Sequence, residues 1–343
     1  MKAYAGLDVS QRETHICIVD RRGEVIEEFT VPTKPELLGE QLLRRGHRYV
    51  RVGLESCGIA DWLYEGLAQM GLPIICIEAR HAHGVLQART NKTDRNDARG
   101  IAAIMQTGFY RPVHVKSAAC RKIRSLLAAR RLLRTKIIDV ENGIAGLLST
   151  SGHAIARSRG RRVFETQVFA LAQSEPDLSE WLPPLLAVRA TLCAQFSALD
   201  DAVKRVANAD PICRRLMTAP GVGPLVAMTY RVAIDIPTRF SRSRTVGAHL
   251  GLTPKTRQSG SLDVRGRISR RGDAQLRSAL YLAAVSVLHP RTGLSPLKAW
   301  GARIAERRGV KKARIAVARR LAVTLHRMWV DGKDYESGSG PSD

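Results

Sequence analysis

The chain of 343 residues is long enough for two or three domains with a sizeable core, at 44% hydrophobic and 25% charged residues. Its 55 Lys and Arg against 31 Asp and Glu leave a formal net charge of +24, which points to a polyanionic partner. Six scattered cysteines without a C-x-x-C pair argue against a disulfide framework or zinc knuckle, and no unbroken apolar run has membrane-spanning length, so a cytoplasmic protein without a membrane partner is expected.

In chain order, "AYAGLDVS", "THICIVD" and "VIEEFTV" predict three strands, with "DRRGE" as a hairpin turn. "KPELLGEQLLRR" has helical spacing, "YVRVGLES" reads as a strand, "IADWLYEGLAQMG" as a helix and "LPIICIEA" as a further buried strand. Three strands followed by alternating helix and strand predict an α/β domain with a mixed sheet.

The middle third is helical. An apolar seam runs through Ile123, Leu126, Leu133, Ile137, Val140, Ile144 and Leu147, broken at Arg130, and a weaker one through Leu185, Val188, Leu192, Leu199 and Val206. The two predicted helices are linked by "STSGHAIARSRGRR" and a Pro-containing segment. Two readings stand side by side: a long antiparallel coiled coil or subunit-pairing arm, and an ordinary helical bundle within one chain.

In the last third "TAPGVGPLVA" has the look of a helix-hairpin-helix turn, which can offer backbone N–H groups to a phosphate, although a plain helix-to-helix turn uses the same residues. The basic stretch "TRQSGSLDVRGRISRRGD" follows, then the helices "DAQLRSALYLAAVSVL" and "GVKKARIAVARRLAVTLHRMWV", and a tail, "YESGSGPSD", expected to be disordered. Net charge is +2 over residues 1–117, +5 over 118–210 and +17 over 211–343, so phosphate attraction concentrates in the last third.

Four carboxylates stand out. Asp8 interrupts an apolar strand, where an unpartnered acid is costly to bury, and Glu55 ends another strand. Asp94 and Asp97 lie three apart at the start of a predicted helix, on one face, where their charges repel unless a cation offsets them. A helix docked across the sheet would gather the four, a donor set suited to Mg²⁺. Singly, Asp94 and Asp97 also read as an N-cap arrangement, and Glu55 as a solvated strand end. His81 and His83 have metal-like spacing but no third ligand, and are expected at the surface or facing phosphate.

"GLDVS", "GLES" and "NKTDRNDA", followed by a coiled-coil region and then "APGVGP", "GLTPKTRQSGS" and "RISRRGDAQLRSAL", closely resemble the DEDD transposases of the insertion-sequence 110 family, in the same order over nearly the whole chain. The resemblance implies a ribonuclease-H-like (RuvC-like) α/β domain over 1–117 whose Asp8, Glu55, Asp94 and Asp97 bind Mg²⁺. It further implies a helical coiled-coil region over 118–210, a mainly α C-terminal transposase domain over 211–332, and a tail over 333–343. By motif match the serine nucleophile is Ser259, with Ser261 a second hydroxyl two positions on. The resemblance also implies a structured guide (bridge) RNA that pairs with donor and target DNA, and a phosphoserine intermediate in strand exchange. Lys255, Arg257, Arg265, Arg267, Arg270, Arg271 and Arg277 are the expected phosphate-binding residues. A homodimer or dimer of dimers joined through the helical region is expected.

Three other readings compete. A metal-only nuclease resembling a Holliday-junction resolvase would hydrolyse with water and leave no protein–DNA bond. A sugar- or acetate-kinase-like ATPase would need a second Gly-rich phosphate loop and leaves the charge unexplained. A non-catalytic RNA-binding descendant would need no metal.

Overall fold

The computed structural model describes residues 1–87, 93–155, 161–259 and 262–336, without the side chains of Arg161, Arg162, Arg257, Leu262, Asp263 and Arg265. Ser261 and residues 337–343, with most of the predicted tail, lie outside the described residues. The chain divides into two compact units, Met1–Lys116 and Ser117–Asp343.

The first unit is built on β1 (Lys2–Val9), β2 (Glu13–Val19), β3 (Val25–Pro32), α1 (Pro35–Arg44), β4 (Arg48–Glu55), α2 (Ala60–Gln69), β5 (Ile74–Ile77), α3 (Ala79–Leu86) and α4 (Asp94–Thr107). The sheet order is β3-β2-β1-β4-β5. β1 pairs antiparallel with β2 and parallel with β4, because tight turns link the first three strands while helices α1 and α2 carry the later crossovers. This is the expected mixed sheet, and its strand order fits a ribonuclease-H-like domain. On one face, Leu38 and Leu42 of α1 and Leu63 and Leu67 of α2 bury Leu7 and Leu54. On the other lie Ala98, Ile101, Ala102 and Met105 of α4, all buried. Helix α3, unforeseen in the sequence, carries His81 and His83. His81 Nε2 lies 3.1 Å from the Phe109 carbonyl oxygen and its ring packs on Phe109, while His83 is exposed.

The second unit begins with α5 (Ala118–Thr150), α6 (Arg161–Ser174) and α7 (Leu182–Ala209). α7 runs antiparallel to α5: Arg130 pairs with Asp200 at 2.5 Å and Glu141 with Arg189 at 2.7 Å. The break in the seam at Arg130 is therefore an ion pair, backed by the Phe196 ring 4.7 Å beneath the guanidinium. The seams hold over most of their length, with Ile137 and Ile144 buried and Leu133, Val140, Leu185, Leu192 and Leu199 half-buried, and depart from expectation at three positions. Leu147, Val188 and Val206 are 48%, 50% and 38% exposed, while Leu148, Val203 and Ala207 are buried. A single-residue step turns a helix by about 100°, so adjacent apolar positions belong to different stripes. Helix α6, read from the sequence as part of a link, closes the far end of the pair through Phe164 and Val168 against Ile144, Leu148 and Leu182.

By length and composition α7 is apolar enough to cross a membrane, which the demand for an unbroken apolar run had set aside. Its mid-stretch Arg189, 1% exposed, bonds Glu141 and Glu165 and lies over the Phe164 ring, so the neutralised charge belongs to a packed helix layer.

The rest of the unit comprises α8 (Pro211–Met217), α9 (Pro224–Ile234), α10 (Arg244–His249), β6 (Pro254–Ser259), β7 (Leu262–Ile268), α11 (Ala274–Val287), α12 (Pro296–Arg308) and α13 (Val310–Asp331). Its core joins α8, α9, α11 and α13 around Tyr230, whose hydroxyl donates to the Ala322 carbonyl at 2.7 Å. The "PGVGP" turn links α8 to α9 as the motif predicts. There Gly221, at φ +76°, approaches α11 so closely that a Cβ would lie 2.6 Å from the Ala283 carbonyl oxygen, so this glycine serves packing. At the C-terminus the Tyr335 N–H donates to Thr218 Oγ1 at 2.8 Å and its ring packs on the core, tying down the first residues of the predicted tail.

Candidate active site

The two strands that carry acids share one local design. β1 reads Gly6-Leu7-Asp8 and β4 reads Gly53-Leu54-Glu55, and their parallel register pairs Gly6 with Gly53 and Leu7 with Leu54. Side chains alternate along a strand, so each leucine enters the core on one face while the glycine and the acid share the other. That second face is where α4 docks. A Cβ on Gly6 would collide with the backbone of Ala98 and Ala102, and one on Gly53 would lie 2.7 Å from Met105 Sδ. The missing side chains admit the helix, and Asp8 and Glu55 stand two residues further along the same face.

The first turn of α4 supplies the other two acids. Its N-cap is Thr93, whose Oγ1 accepts from the Asn96 N–H at 3.2 Å, so neither aspartate has the capping role that their spacing allowed. The positive end of the helix dipole favours both carboxylates there. Glu28 of β3 steadies the same turn: it accepts from Arg99 Nε at 2.5 Å and pairs with Arg95 at 2.6 Å. Hydrogen bonding from Arg99, with help from Arg95, holds the Glu28 carboxyl down at about 2. These arginines are thereby engaged away from the aspartates.

Electrostatics tie the four acids together. Asp8 is pushed up to about 6, first by burial and then by the charges of Asp97, Asp94 and Glu55, partly offset by His15. His15 is the cross-strand neighbour of Asp8; its Nε2 lies 3.6 Å from Asp94 Oδ2 and its Nδ1 3.1 Å from Thr30 Oγ1. Among the described residues no three His, Cys, Asp or Glu side chains are drawn tightly enough together to ligate one ion. The four carboxylates thus feel one another's charge without closing into a cage. Their donor chemistry nevertheless fits a hard divalent cation, which would relieve the repulsion that raises Asp8.

Ser259 lies on a different kind of element. The basic stretch 256–273, in which the sequence showed no strands, forms most of an antiparallel hairpin, and Ser259 is the exposed last residue of β6, opposite Leu262. Its partner candidate Ser261 falls outside the described residues, as do the side chains of Arg257 and Arg265. Lys255, Arg267, Arg270 and Arg271 are exposed on or beside the hairpin. Arg277 differs from them: its guanidinium donates to the carbonyls of Leu250, Arg271 and Gly272 at 3.2, 2.7 and 3.0 Å. Its geometry is that of a brace for the loop before α11.

Residues 5–152 match the family model of DEDD transposases of the IS110 type, and residues 213–299 match the transposase IS116/IS110/IS902 family. The chain belongs to the IS110 family of transposases. The transposase for insertion sequence element IS1111A of Coxiella burnetii is 29% identical, over 97% of this chain and 91% of that relative. A putative transposase, y4pF/y4sB, of Sinorhizobium fredii is 28% identical over 84% of this chain and 75% of its own length. A solved structure, that of RuvC from Thermus thermophilus, is similar over 32% of this chain and 99% of its own, at 13% identity and a TM-score of 0.25. The chain is accordingly an enzyme of the transposase class, a DNA recombinase.

Three residues around the acidic cluster were missed, two of them for want of a sequence signal. Glu28 lies in an ordinary "IEEF" strand and meets Arg95 and Arg99 only through the fold. Thr93 looked like a connector to the aspartates. His15 could have been found from the hairpin register, since a turn at Ser10–Arg12 places it opposite Asp8.

Proposed function

We propose that this transposase cuts and rejoins DNA through a phosphoserine on Ser259, with Asp8, Glu55, Asp94 and Asp97 as the ligands of a divalent cation, Mg²⁺ by their oxygen chemistry. The observation that carries the acidic half is geometric: Gly6 and Gly53 admit α4 on the sheet face that Asp8 and Glu55 share, with Asp94 and Asp97 in its first turn, and Asp8 is raised there by burial first and then by the charges of the other three. Bound there, the cation would supply Lewis acidity toward the scissile phosphate and its departing 3′ oxygen.

Ser259 Oγ forms a bond to phosphorus while the bond from phosphorus to the 3′ oxygen breaks, and the hydroxyl proton ends on that oxygen. The products are a 5′-phosphoserine and a free 3′-hydroxyl. Reversal with the 3′-hydroxyl of another strand reseals DNA and restores the serine, so no external energy source is needed. Exposure at the end of a hairpin strand suits a nucleophile that must reach a bulky backbone. Exposed Lys255, Arg267, Arg270 and Arg271 hold neighbouring phosphates, while Arg277 positions the loop that carries two of them. A structured guide RNA selects donor and target DNA by pairing, and the enzyme acts in the cytoplasm on the nucleoid. Leu132, Ile138, Val188 and Val206, exposed on α5 and α7, support self-association through that helix pair.

The test is a denaturing gel of labelled DNA incubated with protein and Mg²⁺. Wild type is expected to give a covalent adduct, and Ser259→Ala none, with DNA and RNA binding nearly intact. Cleavage without any adduct in the wild type would favour the metal-only nuclease, and an adduct in the Ala variant would move the nucleophile to another residue.

A further inference from the structure

Beside the base of the hairpin the second unit opens a groove of about 1580 Å³, walled by α10, α12 and α13. Ten Arg and Lys side chains line it, and no carboxylate does among its described lining residues. Arg242 and Arg244 stand before and at the start of α10, Arg308 and Lys312 where α12 meets α13, and Arg319 and Arg327 along α13. No ion pair among the described residues engages any of the ten. The floor is apolar, formed by Ile268, Trp300, Ile304, Ile315 and Val323, all half-buried.

Several of these groups are fixed before any ligand arrives. Arg319 lies against Gly247 of α10, where a Cβ would stand 3.1 Å from its Cγ. The Arg320 guanidinium lies over the Trp300 ring, 4.7 Å from its centroid, an attraction that holds both side chains in place. Buried His326 holds the segment before α10 in place, its Nδ1 2.9 Å from Ser243 Oγ and its Nε2 3.0 Å from the Pro237 carbonyl oxygen. That segment presents Arg242 and Arg244.

We propose that this groove binds an unpaired stretch of nucleic acid, with phosphates on the arginine walls and bases on the floor around Trp300. A duplex would meet the walls with its backbone and leave the apolar floor wet, because its bases are stacked away. A small anion would not need ten cations spread over such a length. An unpaired strand presents phosphates and flat apolar faces together, and cationic grooves with aromatic stacking positions are how proteins hold one. The proposal rests on the reading above in taking a nucleic acid as the ligand, but not on the serine chemistry. Pro254 lines the groove and Ser259 ends the same strand, so the two lie at most about 17 Å apart along β6, roughly five duplex steps. The bound strand is therefore next to the reacting one, either an unpaired segment of the guide RNA or a displaced strand of DNA.

The experiment uses the full chain carrying Ser259→Ala, so that covalent chemistry cannot intervene and its outcome leaves the phosphoserine reading untouched. Oligothymidylate and oligouridylate of about 20 nucleotides and a duplex of equal length are titrated by fluorescence anisotropy and by tryptophan emission. Trp300→Ala is expected to weaken at least one single strand by about tenfold or more and the duplex by less than about twofold. Whichever single strand binds more tightly identifies the source as DNA or RNA. Trp300→Phe, a gentler change whose thermal melt should match the parent, is expected to keep most of the affinity and to abolish most of the emission quenching. Equal losses for duplex and single strands, or full quenching retained in Trp300→Phe, would overturn the proposal.

Discussion

Replacing Asp8, a proposed metal ligand, by Asn should stabilise the metal-free first unit. The folded environment raises the Asp8 carboxyl from 3.8 to about 6, by burial and the charges of Asp97, Asp94 and Glu55. The folded protein therefore holds that proton more tightly than the unfolded chain, and stability falls as pH rises from about 4 to about 6. Above that interval the full penalty applies. A shift of roughly two units corresponds to about 3 kcal/mol, and partial solvation of the site reduces it to about 1–2 kcal/mol. Asn has nearly the same shape and no charge, so in chelator at pH 8 the variant's first unit should melt about 3–8 °C higher than wild type. The advantage should drop to about half at pH 5 and vanish below about pH 3.5, where Asp8 is protonated in the folded and the unfolded chain alike. Adding Mg²⁺ at pH 8 should then raise the wild-type melting temperature and barely move the variant. Calorimetric scans of the full chain resolve the effect. A variant less stable than wild type at pH 8 in chelator, or a difference independent of pH, would refute the electrostatic account of the cluster.

Gly6→Ala should remove α4 from the sheet, since the added Cβ meets the backbone of Ala98 and Ala102; a loss of about 3 kcal/mol and of Mn²⁺ binding by calorimetry is expected. Glu28→Gln breaks the pairing with Arg99 and Arg95. Because that carboxyl is held below its ordinary value, the stabilisation it lends is present above about pH 4.5 and fades toward pH 2, so the variant should lose about 1–2 kcal/mol at pH 7 and converge with wild type in acid, as urea melts can show. Arg277→Met retains the stem but leaves three carbonyls without their donor, and should destabilise the second unit by about 1–3 kcal/mol while shifting the salt dependence of DNA binding little.

Legibility followed the range of the interactions. The strands of the first unit were readable because period-2 apolar runs such as "THICIV" suffice to define them, and the three-then-alternating order fixed the mixed sheet. Asp8 stood out because an acid inside an apolar strand is costly to bury alone, whereas Glu55, Asp94 and Asp97 each had a local reading and gained weight only as a set. Glu28 was not, since its partners on α4 are about 70 residues away and only the docked helix brings them near. The basic hairpin hid behind its composition: Arg, Gly and Ser look like loop, and only the cross-strand register from Thr256–Arg265 to Ser259–Leu262 makes strands of them. On α5 and α7 the 3,4 spacing showed the seams, with Ile137 and Ile144 buried, but periodicity alone could not say what covers the apolar residues left outside them.

That last ambiguity has a physical consequence for how the enzyme is built. α5 and α7 bury Leu127, Ile137, Ile144 and Val203 within the chain and still expose Leu132, Ile138, Val188 and Val206. A pair that needed only to satisfy itself would be expected to place polar residues at the second set, because exposed branched aliphatics add nothing to a finished two-helix interface. The ion pairs Arg130–Asp200 and Arg189–Glu141 fix the internal register, so these exposed positions do not belong to an alternative packing of the same two helices. In the self-association proposed above, a second copy covers them. Substituting Ile138 and Val188 together by Lys should leave the melting temperature within about 2 °C of wild type, since both are largely exposed, yet shift the sedimentation profile toward the monomer. An unchanged oligomer, or a destabilised monomer, would return the stripe to the interior of the chain.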